Sequence, residues 1–164
     1  MNQEMVQSYH SLQWSEDIIT RNENKIYKIA LAIMGNKTDS EDIVQDVFVK
    51  LFEKQPHFES AEHETAWLIR VTVNMCKSEL RSFKRKHIVP LLEDYPAHNE
   101  SQYELVDAIT KLAPKYRTVI HLFYYEGYST HEIAEITNQK DSTVREQLTR
   151  ARRLLKDVLE GDVL

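Results

Sequence analysis

A chain of 164 residues, 41% hydrophobic and 29% charged with a formal net charge of −5, holds apolar material for one ordinary core or two small ones, since domains run from about 50 to about 150 residues. One Cys, 3 Gly and 4 Pro exclude a disulfide framework, a Cys-rich zinc site and a sandwich or barrel of many short strands. Apolar runs stay far below the roughly 18–20 residues of a membrane span, and the N-terminus MNQEMVQSYH lacks the basic start and apolar run of a signal peptide, so a soluble, cytoplasmic, all-α protein is expected.

In chain order, Ile18, Ile19, Ile26, Ile29, Ala30 and Ile33 recur near helical spacing between Ser15, a plausible start, and Gly35, a plausible stop. Thr38-Asp39-Ser40-Glu41 fits a capping box, Thr at the cap and Glu three residues on. It opens a helix whose buried stripe is Ile43, Val44, Val47, Phe48, Leu51 and Phe52, opposite Asp42, Gln45, Asp46 and Lys50. Pro56 ends it, and the polar segment Gln55–Glu64 reads as a loop. A third helix is predicted from about Thr65 to Lys86, with Trp67, Leu68, Val71, Met75 and Leu80 in the core, Cys76 as a small buried filler and basic last turns that suit the negative end of the helix dipole.

Residues 88–101, with two Pro and no clear period, are expected to be a linker. Leu105, Val106, Ile109 and Leu112 then share one face. Pro114 suits the first position of the next helix, which runs through Val119, Ile120 and Phe123 and stops at Gly127; His121 in this run is a packed or surface histidine. Ser129-Thr130-His131-Glu132 is a second capping box, before Ile133, Ala134 and Ile136. A tight turn at Thr137–Lys140 precedes a last helix with core positions Val144, Leu148, Ala151, Leu155 and Val158, capped by Asp141 or Ser142. A short helix, a tight turn and a longer basic helix make a helix-turn-helix. The expected architecture is two small helical domains, 1–87 and 102–164, joined by the linker 88–101.

Charge is unevenly placed. Residues 39–64 hold eight acids and two bases, and residues 93–107 five acids and no base. Residues 70–86 hold six bases and one acid, and residues 143–156 five bases and one acid. The two basic blocks are candidate polyanion sites, and the plainer reading of either is a solvated helix face.

Three stretches resemble the extracytoplasmic-function (ECF) class of bacterial RNA polymerase sigma factors. Ser40–Phe48 looks like the family's acidic, Gln-containing core-binding helix. Ala66–Asn74 followed by Leu80-Arg81 looks like its promoter-melting and DNA-contact segment. Leu112–Ile120, Glu132–Glu135 and Ser142–Arg145 resemble its C-terminal helix-turn-helix domain. The likeness covers roughly residues 22–158, in order. It departs at the turn, where the family usually has Gly and this chain has Asn138, which tolerates a left-handed backbone.

The resemblance implies two domains like sigma regions 2 and 4, core RNA polymerase and promoter DNA (duplex and melted strand) as partners, and an anti-sigma factor as a further partner. It implies no catalysis, small-molecule substrate, cofactor or metal. Glu41, Asp42, Gln45 and Asp46 would dock on polymerase. Arg70, Asn74, Lys77, Arg81, Lys84, Arg85 and Lys86 would meet DNA from the third helix. The loop would capture an extruded base with His57, Phe58 and Glu59, Phe58 serving either as stacking wall or as packing. Lys and Arg suit such roles because each neutralised phosphate releases counterions. Base edges would be read from the start of the last helix by Ser142, Thr143, Arg145, Glu146, Thr149 and Arg150, with Arg153 further along its basic face.

Two other classes remain open. An ordinary two-domain regulator of duplex DNA would leave the acidic helix and the loop without a role. A hydrolase built on His57, His63, Glu62 and Glu64 lacks recognised metal spacing, a Gly-rich phosphate loop and a nucleophile elbow.

Overall fold

A computed structural model describes the backbone of residues 3–82 and 100–161, and every element within them is helical. The α-helices are α1 (Gln3–Met34), α2 (Lys37–Lys54), α3 (Ala61–Ser82), α4 (Glu100–Thr110), α5 (Pro114–Ile120), α6 (Thr130–Thr137) and α7 (Asp141–Leu159). A π turn over His121–Tyr125 extends α5. Lys84, Arg85, Lys86 and most of the expected linker lie outside the described residues, and α4 already begins at Glu100. No described helix is long and apolar enough to cross a membrane.

Helix α1 starts twelve residues before Ser15. The Ser15 hydroxyl donates to the Ser11 carbonyl at 3.0 Å rather than capping a terminus. A serine bonding back to the preceding turn is compatible with a helix interior, which a capping signal alone does not distinguish. Gly35 ends α1 with φ 74°, its N–H reaching the Leu31 carbonyl at 2.9 Å.

The expected Thr38 capping box is replaced by Asn36, whose side chain accepts from the Asp39 N–H at 2.8 Å. This amide lies two residues earlier and satisfies the same class of orphan donor. Helix α2 buries Ile43, Val44, Val47 and Leu51. Phe48 is half-buried, but Phe52 is 45% exposed, so the stripe is narrower than expected. At about 100° per residue, nine steps from Ile43 carry Phe52 to the far side of the helix.

Helix α3 starts at Ala61, four residues before the expected Thr65. Ser60 Oγ accepts from the His63 N–H at 3.0 Å, and Glu62 and Glu64 complement the positive end of the dipole. The second capping box forms as expected: Glu132 N–H donates to Ser129 Oγ at 3.2 Å and Ser129 N–H to Glu132 Oε2 at 2.7 Å. Asn138 ends α6 left-handed at φ 52°. Neither Asp141 nor Ser142 caps α7; Lys140 holds the cap position in extended backbone without a side-chain bond, and Asp141 opens the helix.

Helices α1, α2 and α3 pack on one another; α5, α6 and α7 form a second group, with α4 against α7. The groups also touch, α1 against α5 and α3 against α6. The apolar core is continuous through both, from Ile18, Ile29, Val47 and Leu68 to Ile120, Leu122, Ile133 and Leu148. Burying a side chain of that size is worth about 1.5–3 kcal/mol, so the inter-group contact is part of the stabilised structure.

Candidate nucleic-acid interface

Four surfaces carry the candidate residues. On α2, Glu41, Asp42, Gln45 and Asp46 are all exposed, because the buried stripe takes the opposite side. Beside them, Glu23, Asn24, Tyr27, Glu41, Val44 and Gln45 line a cavity of about 500 Å³. Surface acids beside an accessible depression can receive basic side chains from a partner.

On α3, Arg70, Asn74, Lys77 and Arg81 follow at spacings of four, three and four, which places them on one face. Arg70, Asn74 and Arg81 are exposed. Lys77 is half-buried, and its Nζ donates to the Thr137 carbonyl at the end of α6 at 3.0 Å. Burial, and after it the Arg81 charge, lower the Lys77 pKa from its ordinary value. Arg70 lines a cavity between α3 and α6 whose walls include Glu62, Tyr128, Glu132 and Glu135. The candidate DNA face of α3 thus borders the second group of helices.

The loop between α2 and α3 splits its three candidates. His57 and Glu59 are exposed, and Phe58 turns inward. Its ring stacks on Trp14 with centroids 6.3 Å apart and planes 17° apart, and meets the edges of Trp67 at 5.8 Å and His63 at 5.6 Å. Phe58 therefore packs. Trp67 is half-buried against the core, as its position in the α3 stripe predicts.

On α7, Val144, Leu148 and Ala151 are buried. That leaves Ser142, Arg145, Glu146, Thr149, Arg150 and Arg153 exposed, with Thr143 half-buried. Arg145 pairs with Asp141 at 3.1 Å while remaining 65% exposed. An exposed pair four residues apart is worth only about 0.3–0.5 kcal/mol, so it yields readily to a phosphate or a base. Arg152 is engaged elsewhere: its Nε donates to the Tyr124 hydroxyl at 2.6 Å and its guanidinium lies over the Phe123 and Tyr124 rings.

Sequence reasoning missed the residues that join the two groups. Arg117, 3% exposed, donates from Nε to the Ala32 carbonyl at 3.0 Å and from Nη2 to the Ile33 carbonyl, both in the last turn of α1. Its Nη1 reaches the carbonyls of Leu112 at 2.9 Å and Thr110 at 3.2 Å. Lys25 of α1 meets Glu126 at 3.5 Å, and Glu126 meets His121 at 3.3 Å. Burial alone would raise the Glu126 carboxyl, but the His121 hydrogen bond and the charges of His121 and Lys25 hold it below its ordinary value. The available signal was an arginine inside an otherwise buried run, Tyr116–Leu122, since a buried guanidinium requires partners.

Fold and surfaces together define a helical protein of two groups, each with a basic face, one of them a helix-turn-helix. Residues 18–86 match the family sigma-70 region 2, and residues 102–155 match sigma-70, region 4. The ECF RNA polymerase sigma factor SigE of Mycolicibacterium smegmatis is 30% identical over 159 residues, which cover 89% of this chain and 61% of that longer one. The ECF RNA polymerase sigma factor SigW of Bacillus subtilis is 28% identical, with 87% of each chain covered. Among solved structures, the sigma factor RpoE in complex with the anti-sigma factor NepR from Bartonella quintana shares the fold with TM-score 0.75 at 23% identity, covering 90% of this chain and 98% of that one. CnrH in complex with the cytosolic domain of CnrY superposes with TM-score 0.65 at 22% identity, covering 93% of this chain and 91% of that one. The chain belongs to the sigma-70 family, in the ECF class of RNA polymerase sigma factors.

Proposed function

We propose that the chain binds core RNA polymerase and directs initiation at promoters carrying a minus-ten and a minus-thirty-five element, acting in the cytoplasm and catalysing no reaction itself. The observation that carries this reading is the outward row Ser142, Arg145, Glu146, Thr149 and Arg150 on a helix whose other side is locked into a helix-turn-helix core. Such a helix presents its first turns to a major groove, where direct readout is possible. Residues 102–164 take the upstream element, with Thr143 and Arg153 at its margins.

Residues 1–87 take the polymerase and the melted downstream element. Glu41, Asp42, Gln45 and Asp46 dock on polymerase. Arg70, Asn74, Lys77 and Arg81, continued by Lys84, Arg85 and Lys86, hold phosphates. Residues 88–101 span the distance between the two sites, and the loop residues His57 and Glu59 face the extruded base while Phe58 anchors them. An anti-sigma protein is a further partner; the RpoE structure holds the anti-sigma factor NepR, and the CnrH structure holds the cytosolic domain of CnrY.

Reconstitution with core polymerase is the test. Transcripts that start at one position, depend on added chain and require both elements are the expected result. Tight duplex binding by the chain alone, with no effect on polymerase, would leave an ordinary DNA-binding regulator instead.

A further inference from the structure

The loop that joins α2 to α3 is held from two sides. On the α3 side the holds are local: the Glu59 N–H donates to His63 Nδ1 at 3.3 Å, and the His63 N–H donates to Ser60 Oγ at 3.0 Å. Trp67, four residues after His63, offers its ring to Phe58 from the same helix. On the other side stands Trp14, 44 positions earlier in the chain, whose ring lies nearly parallel to that of Phe58. Of the rings around Phe58 among the described residues, only Trp14 comes from outside α3. It sits in the first half of α1, before residue 18, where the match to sigma-70 region 2 begins.

An aromatic pair adds about 0.5–1.5 kcal/mol beyond its buried area and also fixes relative orientation. A loop of six residues between two helix ends has few internal bonds with which to fix itself. Its centre is fixed by where the Phe58 ring lies. With Phe58 drawn inward, His57 and Glu59 on either side are the exposed side chains.

We infer that Trp14 is a positioning residue for promoter selectivity: by clamping Phe58 against Trp67 it sets the loop conformation in which His57 and Glu59 meet the unstacked base of the melted strand. This rests on the reading of the loop as the base-capture element. Trp14 touches no nucleic acid and acts through Phe58 alone. Replacing it with a side chain of similar apolar character but no flat ring keeps the site filled and releases the orientation of the loop.

The experiment uses holoenzyme assembled from core RNA polymerase and the full chain, transcribing two promoter libraries, one randomised in the downstream element and one in the upstream element. Trp14→Leu is expected to flatten the base preference at the captured position by about tenfold, the scale of one lost base contact. Preference in the upstream library and affinity for polymerase stay as in the parent, and Trp14→Phe restores the downstream preference. Thermal unfolding of each variant separates this from loss of fold. The inference is overturned if Trp14→Leu lowers transcription from all downstream sequences in proportion, or if it flattens both libraries alike. The doubly substituted chain His57→Ala, Glu59→Ala tests the underlying reading separately. Should it keep the parent's downstream preference, the loop does not capture a base, and the role given to Trp14 falls with it.

Discussion

Arg117 Nε lies 3.0 Å from the carbonyl oxygen of Ala32, 85 residues earlier in the chain, and the same guanidinium also reaches Ile33, Thr110 and Leu112. A planar fork of five donors serves two helix ends at once, the last turn of α1 and the region after α4. It neutralises the partial negative charge that carbonyls accumulate at a helix C-terminus.

Removing this fork should weaken the whole fold. Arg117→Met keeps the apolar stem and leaves buried carbonyls unpaired, at a cost of about 1–3 kcal/mol. Arg117→Lys should recover only part of that, since a point charge cannot address both helix ends. Urea unfolding followed by circular dichroism measures both, and a midpoint unmoved in Arg117→Met would show that the carbonyls find other partners.

Acid should loosen the same junction through Glu126. Its carboxyl titrates below its ordinary value because His121 and Lys25 favour the charged form. A depressed folded-state pKa contributes stability above the unfolded-state value, and that contribution is lost as pH falls through the folded-state value. The melting temperature should therefore fall below the ordinary carboxylate range, and Glu126→Gln should lack that part of the fall. Parallel profiles for the two chains would remove Glu126 from the account.

Polymerase docking should depend on the exposed acids of α2. Asp42 and Asp46 are exposed, so changing both to Lys should leave helicity intact and abolish co-purification with core polymerase. Retained co-purification at physiological salt would move the docking surface elsewhere.

The two basic faces should differ in kind. Arg145→Ala or Arg150→Ala should relax preference within the upstream element by about 1–3 kcal/mol at one position, whereas Lys84→Ala should weaken all promoters alike and reduce the salt slope by about 1. Libraries of randomised upstream elements check this. A new preferred sequence in Lys84→Ala, with mere scaling in the arginine variants, would reverse the assignment.

Cys76 should report opening of the first helical group. The side chain is fully buried and burial pushes its thiol up to about 12, so at neutral pH it is neither exposed nor ionised. Alkylation of the native chain should be slow and should accelerate with denaturant in step with unfolding. Fast labelling without denaturant would mean that α3 opens on its own.

Some local signals were legible in the sequence, although the Thr38 box and the α7 cap were misplaced by one to two residues, and the non-local contacts were not. The Ser129–Glu132 box and the left-handed Asn138 depend on neighbours within four residues, and both are found where the residues place them. The buried side of α7 follows from a single period. Ser15 misled because the same hydroxyl can cap a helix or bond back along one, and only the preceding residues decide. The contacts of Arg117 with α1 and of Trp14 with Phe58 were invisible, since the partners lie 84 and 85 positions away in one case and 44 in the other. The outward rows on α2 and α7 needed nothing beyond periodicity.

Two of the cations that join the groups of helices land on main-chain oxygens: Arg117 on Ala32 and Ile33, and Lys77 on Thr137. Main-chain acceptors are the same whatever side chain a residue carries, so these bonds depend on the helix ends themselves, while the side chains at 32, 33 and 137 are buried and serve the packing. The cations differ in exposure, Arg117 enclosed and Lys77 half open to solvent. Ions screen exposed charges within a Debye length of about 8 Å at physiological strength and reach enclosed ones far less. Rising salt should therefore weaken the Lys77 contact before the Arg117 one. Arg117 would then act as the spine of the pair, and the edge exposed to salt carries Lys77, to which the proposed function gives a phosphate.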